Sequence, residues 1–165
     1  FHVHPLNSAK YVTEVVRPAL LEGAQKSGRS LDDVAISVSV FIVTGENDQQ
    51  TAFWREFVRS QISFYASTPS YRVILETHGW TAVGEELSTL AARKRWGDMP
   101  SLISDEMIEA FAIVAPPDRV GDALLARYRG LVDRITPYIP YRPGDLDSFW
   151  SATLDSFARQ PASEH

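Results

Sequence analysis

Residues 35–44 form the stretch that most constrains how this chain can fold. They read Ala-Ile-Ser-Val-Ser-Val-Phe-Ile-Val-Thr, so apolar side chains recur at every second position in a run rich in β-branched types. This period-2 pattern predicts a β-strand. Both of its faces are largely apolar or small, as expected of a strand that is covered on both sides. Because helical patterns precede and follow it, we predict an α/β protein with parallel strands.

Two shorter strand patterns lie near the ends of the chain. Residues 1–4 read as the end of a strand, and residues 132–138 read as a short strand. Nearly ninety residues with several helical patterns separate the two clear strands. A plain crossover needs far fewer, so we interpret this interval as a helical insertion. Two strands and a strand end are too few for a covered sheet, and the first residue is not Met. We therefore expect a fragment whose missing strands belong to a longer chain or to another subunit.

Caps and prolines place the helices. Asn7 or Ser8 fits as the N-cap of the first helix, and Pro18 predicts a kink or a restart near Arg17. The last helix is expected to begin at Asp145. Residues 1–160 are interpreted as part of one domain, and residues 161–165 as a disordered tail.

Composition argues against several classes of protein. The formal net charge of -5 makes a nucleic-acid partner a poor expectation. The chain has no cysteine, which excludes disulfides and thiolate chemistry and allows the cytoplasmic location that we expect. We see neither a membrane-spanning apolar run nor a signal peptide, so we expect no membrane partner.

His2 and His4 form a His-x-His pair that would place both imidazoles on one face of a strand. Metal-dependent amidohydrolases on (β/α)8 barrels use such a pair, together with further His ligands and an Asp on later strands. The other histidines are His78, in a helical stretch, and His165, in the tail. Asp133 lies on the entry side of the last strand. We therefore predict no metal site.

Residues 4–8 follow a strand and open a helix, which is a suitable place for a phosphate. Simple N-capping by Asn7 or Ser8 needs no ligand and is favoured on spacing alone. Arg72, after Tyr71 in the inserted region, is long enough to reach an anionic ligand, although a lone surface Arg is more often solvated. No catalytic residue can be named from spacing.

Several short motifs follow one another along the chain in a characteristic order. They are Phe1-His-Val-His4, Tyr11-Val-Thr-Glu14, Gly28-Arg29, Ile62-Ser-Phe-Tyr65, Ser67-Thr-Pro-Ser-Tyr71-Arg72, Gly79-Trp80, Trp96-Gly-Asp-Met99, Ser104-Asp-Glu-Met107 and Ala115-Pro-Pro-Asp118. Together they resemble the C-terminal half of luciferase-like monooxygenases, and most closely the branch that uses the deazaflavin coenzyme F-420. The resemblance implies the C-terminal portion of a (β/α)8 TIM barrel with a helical insertion between the last two strands. Residues 1–4, 35–44 and 132–138 would be its sixth, seventh and eighth strands.

The resemblance also implies a function. It suggests an oxidoreductase that transfers a hydride between coenzyme F-420 and a small organic substrate, with an FMN-dependent monooxygenase as the alternative. A non-catalytic interaction or structural half-barrel subunit is the alternative of another class. As partners we expect a small-molecule substrate, and either a second copy of the chain or the N-terminal half.

The implied site residues follow from the same resemblance. In deazaflavin-using relatives the segment after the sixth strand contacts the cofactor phosphate, which maps onto His4, Asn7 and Ser8. Some relatives have a Gly-rich stretch and a Lys where this chain has Pro5-Leu6 and Asn7. In the family this insertion helps wall the substrate pocket, and the resemblance implies that Tyr71 and Arg72 belong to that pocket. The catalytic residues are expected on the first strands, which this chain does not contain.

Overall fold

The structure is a computed structural model that describes residues 1–141, 143–144 and 146–159. Its strands are β1 (His2–Val3), β2 (Ser37–Val43), β3 (Ala112–Val114) and β4 (Arg134–Tyr138). Its α-helices are α1 (Ala9–Tyr11), α2 (Arg17–Lys26), α3 (Asp48–Ala66), α4 (Arg72–Thr77), α5 (Thr81–Ala92), α6 (Asp105–Phe111), α7 (Val120–Tyr128) and α8 (Asp147–Ala158). The expected start of the last helix at Asp145 and the expected tail at residues 161–165 lie outside the described residues.

Strand β2 is the centre of a fully parallel sheet, as the alternation in residues 35–44 predicts. Ser37 pairs with both His2 of β1 and Arg134 of β4. Phe41 pairs with both Ala112 of β3 and Tyr138 of β4. A strand has two edges, so β4 occupies one edge of β2 along its length. The short strands β1 and β3 follow one another along the opposite edge.

Both faces of β2 are covered by apolar side chains, which confirms the prediction of a strand buried on two sides. Phe41 and Val43 pack with residues of α3, α4, α5 and α6 in one core cluster. Val38, Val40 and Ile42 pack in a second cluster with residues of α7, α8 and the first helix. The prediction of an α/β protein with parallel strands is confirmed.

The first helix shows how one proline changes the helical register. Ser8 is its N-cap and accepts a hydrogen bond from the Tyr11 N–H. A π-helical turn, Val12–Val16, follows α1, and α2 then resumes at Arg17 with Pro18 in its first turn. Pro18 has no N–H to donate to the preceding turn, and the wider turn accommodates this loss. The restart expected near Arg17 is therefore present without a break in the helix.

Strand β3 is a feature that the sequence pattern did not predict. Its three residues follow α6 directly, and Ala112 and Ile113 are buried. An apolar run this short cannot be distinguished from the end of a helix by its periodicity. The interval between β2 and β4 is thus not wholly helical, because β3 extends the sheet at the carboxyl end of β2.

Candidate functional site

Four aromatic side chains gather at the carboxyl ends of the parallel strands. His4 follows β1, Tyr138 ends β4, and Tyr65 and Tyr71 come from the region after β2; we call these four the aromatic cluster. The His4 ring stacks on Tyr71 with ring centroids 4.4 Å apart and meets the edge of Tyr65 at 4.6 Å. The hydroxyls of Tyr65 and Tyr138 are 3.4 Å apart. The structure thus brings together His4 and Tyr71, which the sequence had suggested for different ligands.

A hydrogen bond from the backbone determines which ring nitrogen of His4 carries the proton. Its Nδ1 accepts a hydrogen bond from the Leu6 N–H at 3.1 Å. A neutral imidazole that accepts through Nδ1 carries its proton on Nε2. Burial lowers the pKa of His4, which favours this neutral form. His4 therefore offers an uncharged N–H donor.

Tyr65 is held in its protonated form. Its hydrogen bond with the Tyr138 hydroxyl and, next, its burial raise the pKa of Tyr65 to about 12. Phe41 supports both tyrosines from β2, with centroids 5.2 Å from Tyr138 and 6.4 Å from Tyr65. Sequence reasoning did not select Tyr65 or Tyr138 as site residues. The position of Tyr138 at the carboxyl end of a parallel strand was the available signal.

Asn7 is buried and uses its side chain within the chain. Its Nδ2 donates to the carbonyls of His4 and Ser39, each at 2.8 Å, and its Oδ1 accepts from the Tyr128 hydroxyl at 3.2 Å. Asn7 is 1% exposed. Its amide therefore ties the segment after β1 to the central strand and to α7. The suggested contact of Asn7 with a cofactor phosphate stays a prediction.

Ser8 is also buried, and its hydroxyl has two partners. It accepts from the Tyr11 N–H at 3.0 Å and lies 2.8 Å from Nε2 of His78. His78 stacks on Trp80 with centroids 4.6 Å apart. Burial and, second, the charge of Lys10 lower the pKa of His78. The Ser8 hydroxyl and His78 Nε2 share one hydrogen bond, so the cap also anchors the turn after α4.

The first turn of this helix still offers backbone donors. The first N–H groups of a helix have no acceptor within it, and here those of Ala9 and Lys10 follow the capped Ser8. Lys10 adds a positive charge, and its Nζ donates to the Thr77 carbonyl at 2.6 Å. An anionic group suits this end of the helix. The suggested contact of Ser8 with a cofactor phosphate stays a prediction.

Tyr71 and Arg72 point to different neighbours. Tyr71 belongs to the aromatic cluster, whereas the Arg72 guanidinium lies 3.5 Å from the Ser88 hydroxyl on α5. That distance is the outer limit for a hydrogen bond. The structure therefore places Tyr71 at the carboxyl end of the sheet and gives Arg72 a weak contact on a neighbouring helix. Their assignment to a substrate pocket stays a prediction.

Two cavities flank the aromatic cluster. One of about 250 Å³ lies beside β1 and includes His2, His4 and Tyr71 in its lining. The other, of about 280 Å³, is lined by Phe57, Pro137, Tyr138, Ile139 and Pro140. Among the described residues, no group of three or more His, Asp or Glu side chains could hold a metal ion. In the same part of the chain, no helix is both long enough and apolar enough to cross a membrane.

Known proteins resemble the chain along most of its length. The family model described as luciferase-like monooxygenase matches residues 1–134. Uncharacterized proteins from Mycobacterium tuberculosis and Mycobacterium bovis are 45% identical over 134 residues, which are 81% of this chain and 39% of each relative. A 5,10-methylenetetrahydromethanopterin reductase from Methanopyrus kandleri is 29% identical over 132 residues, which are 79% of this chain and 36% of that protein.

A solved structure extends this similarity to the fold. The coenzyme F-420-dependent tetrahydromethanopterin reductase from Methanopyrus kandleri matches 91% of this chain with a TM-score of 0.62 and 25% sequence identity. The match covers 41% of the reductase chain. This chain therefore spans about two fifths of the length of the proteins it matches.

Proposed function

Because the chain belongs to the luciferase-like monooxygenase family, we propose that the protein carrying it is an oxidoreductase. It would transfer a hydride between the deazaflavin coenzyme F-420 and a small organic substrate. The similarity to a reductase named as F-420-dependent supports this choice of cofactor over FMN. The observation that carries the proposal is the aromatic cluster at the carboxyl ends of the parallel strands, the edge where α/β enzymes bind their ligands.

The proposal includes a position for the chain within a larger fold. β1, β2 and β4 would be strands six, seven and eight of a (β/α)8 barrel, and the elements from α3 to α6 together with β3 would be the insertion. All strand pairings in the described chain are parallel, as a barrel of this type requires. The insertion packs on Phe41 and Val43, at the carboxyl end of β2. It would thus cover the side of the barrel where active sites lie.

The residues present suit an anionic cofactor tail at the start of the first helix. When bound, the deazaflavin supplies the hydride chemistry, and the protein supplies its orientation and shielding from water. His4 would contribute its Nε2–H donor, and Ala9 and Lys10 their backbone N–H groups. The side chains of Asn7 and Ser8 would hold this segment in place through their contacts with Ser39, Tyr128 and His78. A homo-oligomer, or pairing with an N-terminal half, is proposed as the assembly.

Cofactor retention tests the proposed function. The longest natural protein that contains this chain would be purified and titrated with coenzyme F-420 and with FMN, with fluorescence and calorimetry as readouts. We expect F-420 to be retained in preference to FMN. Preferential retention of FMN would favour the monooxygenase alternative. If neither cofactor binds, the oxidoreductase proposal is wrong and the non-catalytic subunit gains support.

Substitutions of Ser8 test where the anionic part of the cofactor lies. We expect Ser8→Asp to weaken F-420 binding much more than Ser8→Ala, because it sets a negative charge at the helix N-terminus while keeping a cap. Stability should follow the opposite order. Ser8→Ala, which loses the cap, should be less stable than Ser8→Asp and should lose about 1 kcal/mol of unfolding free energy. Thr13→Asp, an exposed change on the same helix, is the control for added charge. F-420 affinity unchanged by Ser8→Asp would rule out this location.

A further inference from the structure

The cavity of about 280 Å³ beside Tyr138 has the properties of a substrate pocket. We propose that it binds a small, uncharged and mostly apolar molecule that carries a single oxygen function, such as a ketone or an alcohol, with the Tyr138 hydroxyl as the partner of that oxygen. This inference rests on the proposed function and names the substrate class. It locates the substrate on residues other than Tyr71 and Arg72.

The residues that line the cavity have apolar side chains, apart from Tyr138. Phe57 comes from α3, and Pro137, Tyr138, Ile139 and Pro140 come from the end of β4 and the residues after it. The Tyr138 hydroxyl is the one polar side-chain group among these lining residues. Ligand pockets for drug-sized molecules measure roughly 300–1,000 Å³, so this cavity suits a smaller ligand. Apolar walls around one fixed polar group favour ligands with matching chemistry.

The charged residues next to Phe57 are engaged elsewhere. Arg55 Nη1 lies 3.4 Å from the carboxylate of Asp105, at the start of α6. Glu56 pairs with Arg59 on the same helix at 3.0 Å. Neither Arg55 nor Glu56 lines the cavity. Among the described residues that line the cavity none is charged, and such a lining leaves a charged ligand without its hydration or a partner of opposite charge, which is unfavourable.

The Tyr138 hydroxyl retains the capacity for a further hydrogen bond. Its distance of 3.4 Å to the Tyr65 hydroxyl exceeds the 2.5–3.0 Å usual between two oxygens. A phenol donates one hydrogen bond and also accepts, so a pair of tyrosines that share one bond still has one proton to donate. We assign this capacity to a ligand oxygen in the cavity that Tyr138 lines.

Tyr65 connects this cavity to the site proposed for the cofactor. The same ring meets His4 edge-on at 4.6 Å, while its hydroxyl faces that of Tyr138. A cofactor held near His4 and a substrate held at Tyr138 would therefore occupy opposite sides of one tyrosine. His4 is proposed to hold the anionic tail of the cofactor, so the two ligands would bind at one edge of the sheet, and the reacting ring itself must reach the substrate for hydride transfer.

Ligand-detected NMR on the longest natural protein containing this chain tests the pocket. Cyclohexanone would be the neutral probe and cyclohexanecarboxylate the charged probe of similar shape. We expect cyclohexanone to bind at least tenfold more tightly than the carboxylate.

Substitutions locate the binding site. Phe57→Trp, which fills the cavity, should abolish cyclohexanone binding. Phe53→Trp, one turn away on α3 at a side chain that is 63% exposed, is the matched control and should leave it unchanged. Tyr138→Phe should weaken it about three- to tenfold, the effect of one lost hydrogen bond.

Each result decides for or against the pocket. Equal binding of the two probes, or cyclohexanone binding that survives Phe57→Trp, would overturn the inference, as would a lack of binding to the unaltered protein. Thermal unfolding of every variant shows whether a loss of binding reflects a loss of fold. F-420 binding is measured on the same samples. If the unaltered protein binds F-420 but cyclohexanone does not bind as expected, the pocket alone is refuted. If the unaltered protein does not bind F-420, the proposed function is refuted.

Discussion

Tyr128 and Tyr138 place the same functional group in two contrasting environments. Tyr128 is fully buried, its hydroxyl donates to Asn7 at 3.2 Å, and burial raises the pKa of Tyr128 to about 12. Tyr138 is only partly buried and faces another hydroxyl at 3.4 Å beside a cavity. A buried polar group with its partner in place contributes to stability, whereas a partly exposed group with a long bond keeps capacity for a ligand. The difference separates residues whose polar groups stabilise the fold from residues whose polar groups can still bind a ligand.

We expect the largest effect on stability at Asn7, the hydrogen-bond partner of the buried Tyr128. Asn7→Ala would leave the Tyr128 hydroxyl without its acceptor and the Ser39 carbonyl without its donor. We expect a loss of about 2–4 kcal/mol in the free energy of unfolding, measured by chemical denaturation. Asn47→Ala, which removes the exposed N-cap of α3, is the control and should cost about 1 kcal/mol. An Asn7→Ala variant no less stable than the Asn47→Ala variant would show that the buried network contributes little.

Removing each tyrosine hydroxyl in turn sharpens the same contrast. We expect Tyr128→Phe to lower the free energy of unfolding by about 1–2 kcal/mol, because it leaves the buried Asn7 oxygen unsatisfied. Tyr138→Phe should change it by less than about 0.5 kcal/mol, as is usual for a partly exposed side chain. Denaturation midpoints of the two variants, compared under identical conditions, give the difference. Equal losses would mean that the Tyr138 hydroxyl is as structural as that of Tyr128.

The smallest expected effect concerns pH and the pair formed by Ser8 and His78. The pKa of His78 is lowered in the folded chain, first by burial and then by Lys10, so the unfolded chain takes up a proton at higher pH than the folded chain does. Stability should therefore decrease as the pH falls from about 6.5 towards the lowered pKa of His78. His4 contributes in the same direction. Urea denaturation between pH 7.5 and 5 measures the decrease.

Two variants attribute this pH dependence to His78. His78→Gln removes the titrating group, so the decrease in stability should become shallower. Lys10→Gln removes the neighbouring positive charge, so the lowering of the His78 pKa, and with it the decrease, should be smaller than in the unaltered chain. A pH profile identical in all three proteins would contradict the assignment to His78.

Local sequence patterns predicted the elements that local forces specify. The alternation in residues 35–44 marked β2 and its two covered faces. Ser8, the observed N-cap, was one of the two residues predicted for that position, because capping depends on residues within one turn. Strand β3 was missed because three apolar residues after a helix carry no distinguishing period. Tyr65 and Tyr138 were not selected because their contact joins residues far apart in the chain. Asn7 was read as a cap or a ligand contact, and its partners at Ser39 and Tyr128 were not visible in any local pattern.

The sequence by itself determined the central strand, the order of helices around it and the segment in which a helix opens after β1. Hydrophobic periodicity, caps and prolines act over a few residues, so they can be read without the fold. Only the tertiary structure decided which polar groups remain available for a ligand. Parallel pairing brings the ends of β1, β2 and β4 to one edge, and the packing of α3 against that edge then sets Tyr65 beside His4 and Tyr138. Packing also gave Asn7 and Ser8 their internal partners, because a polar group buried without a hydrogen bond is too costly to keep.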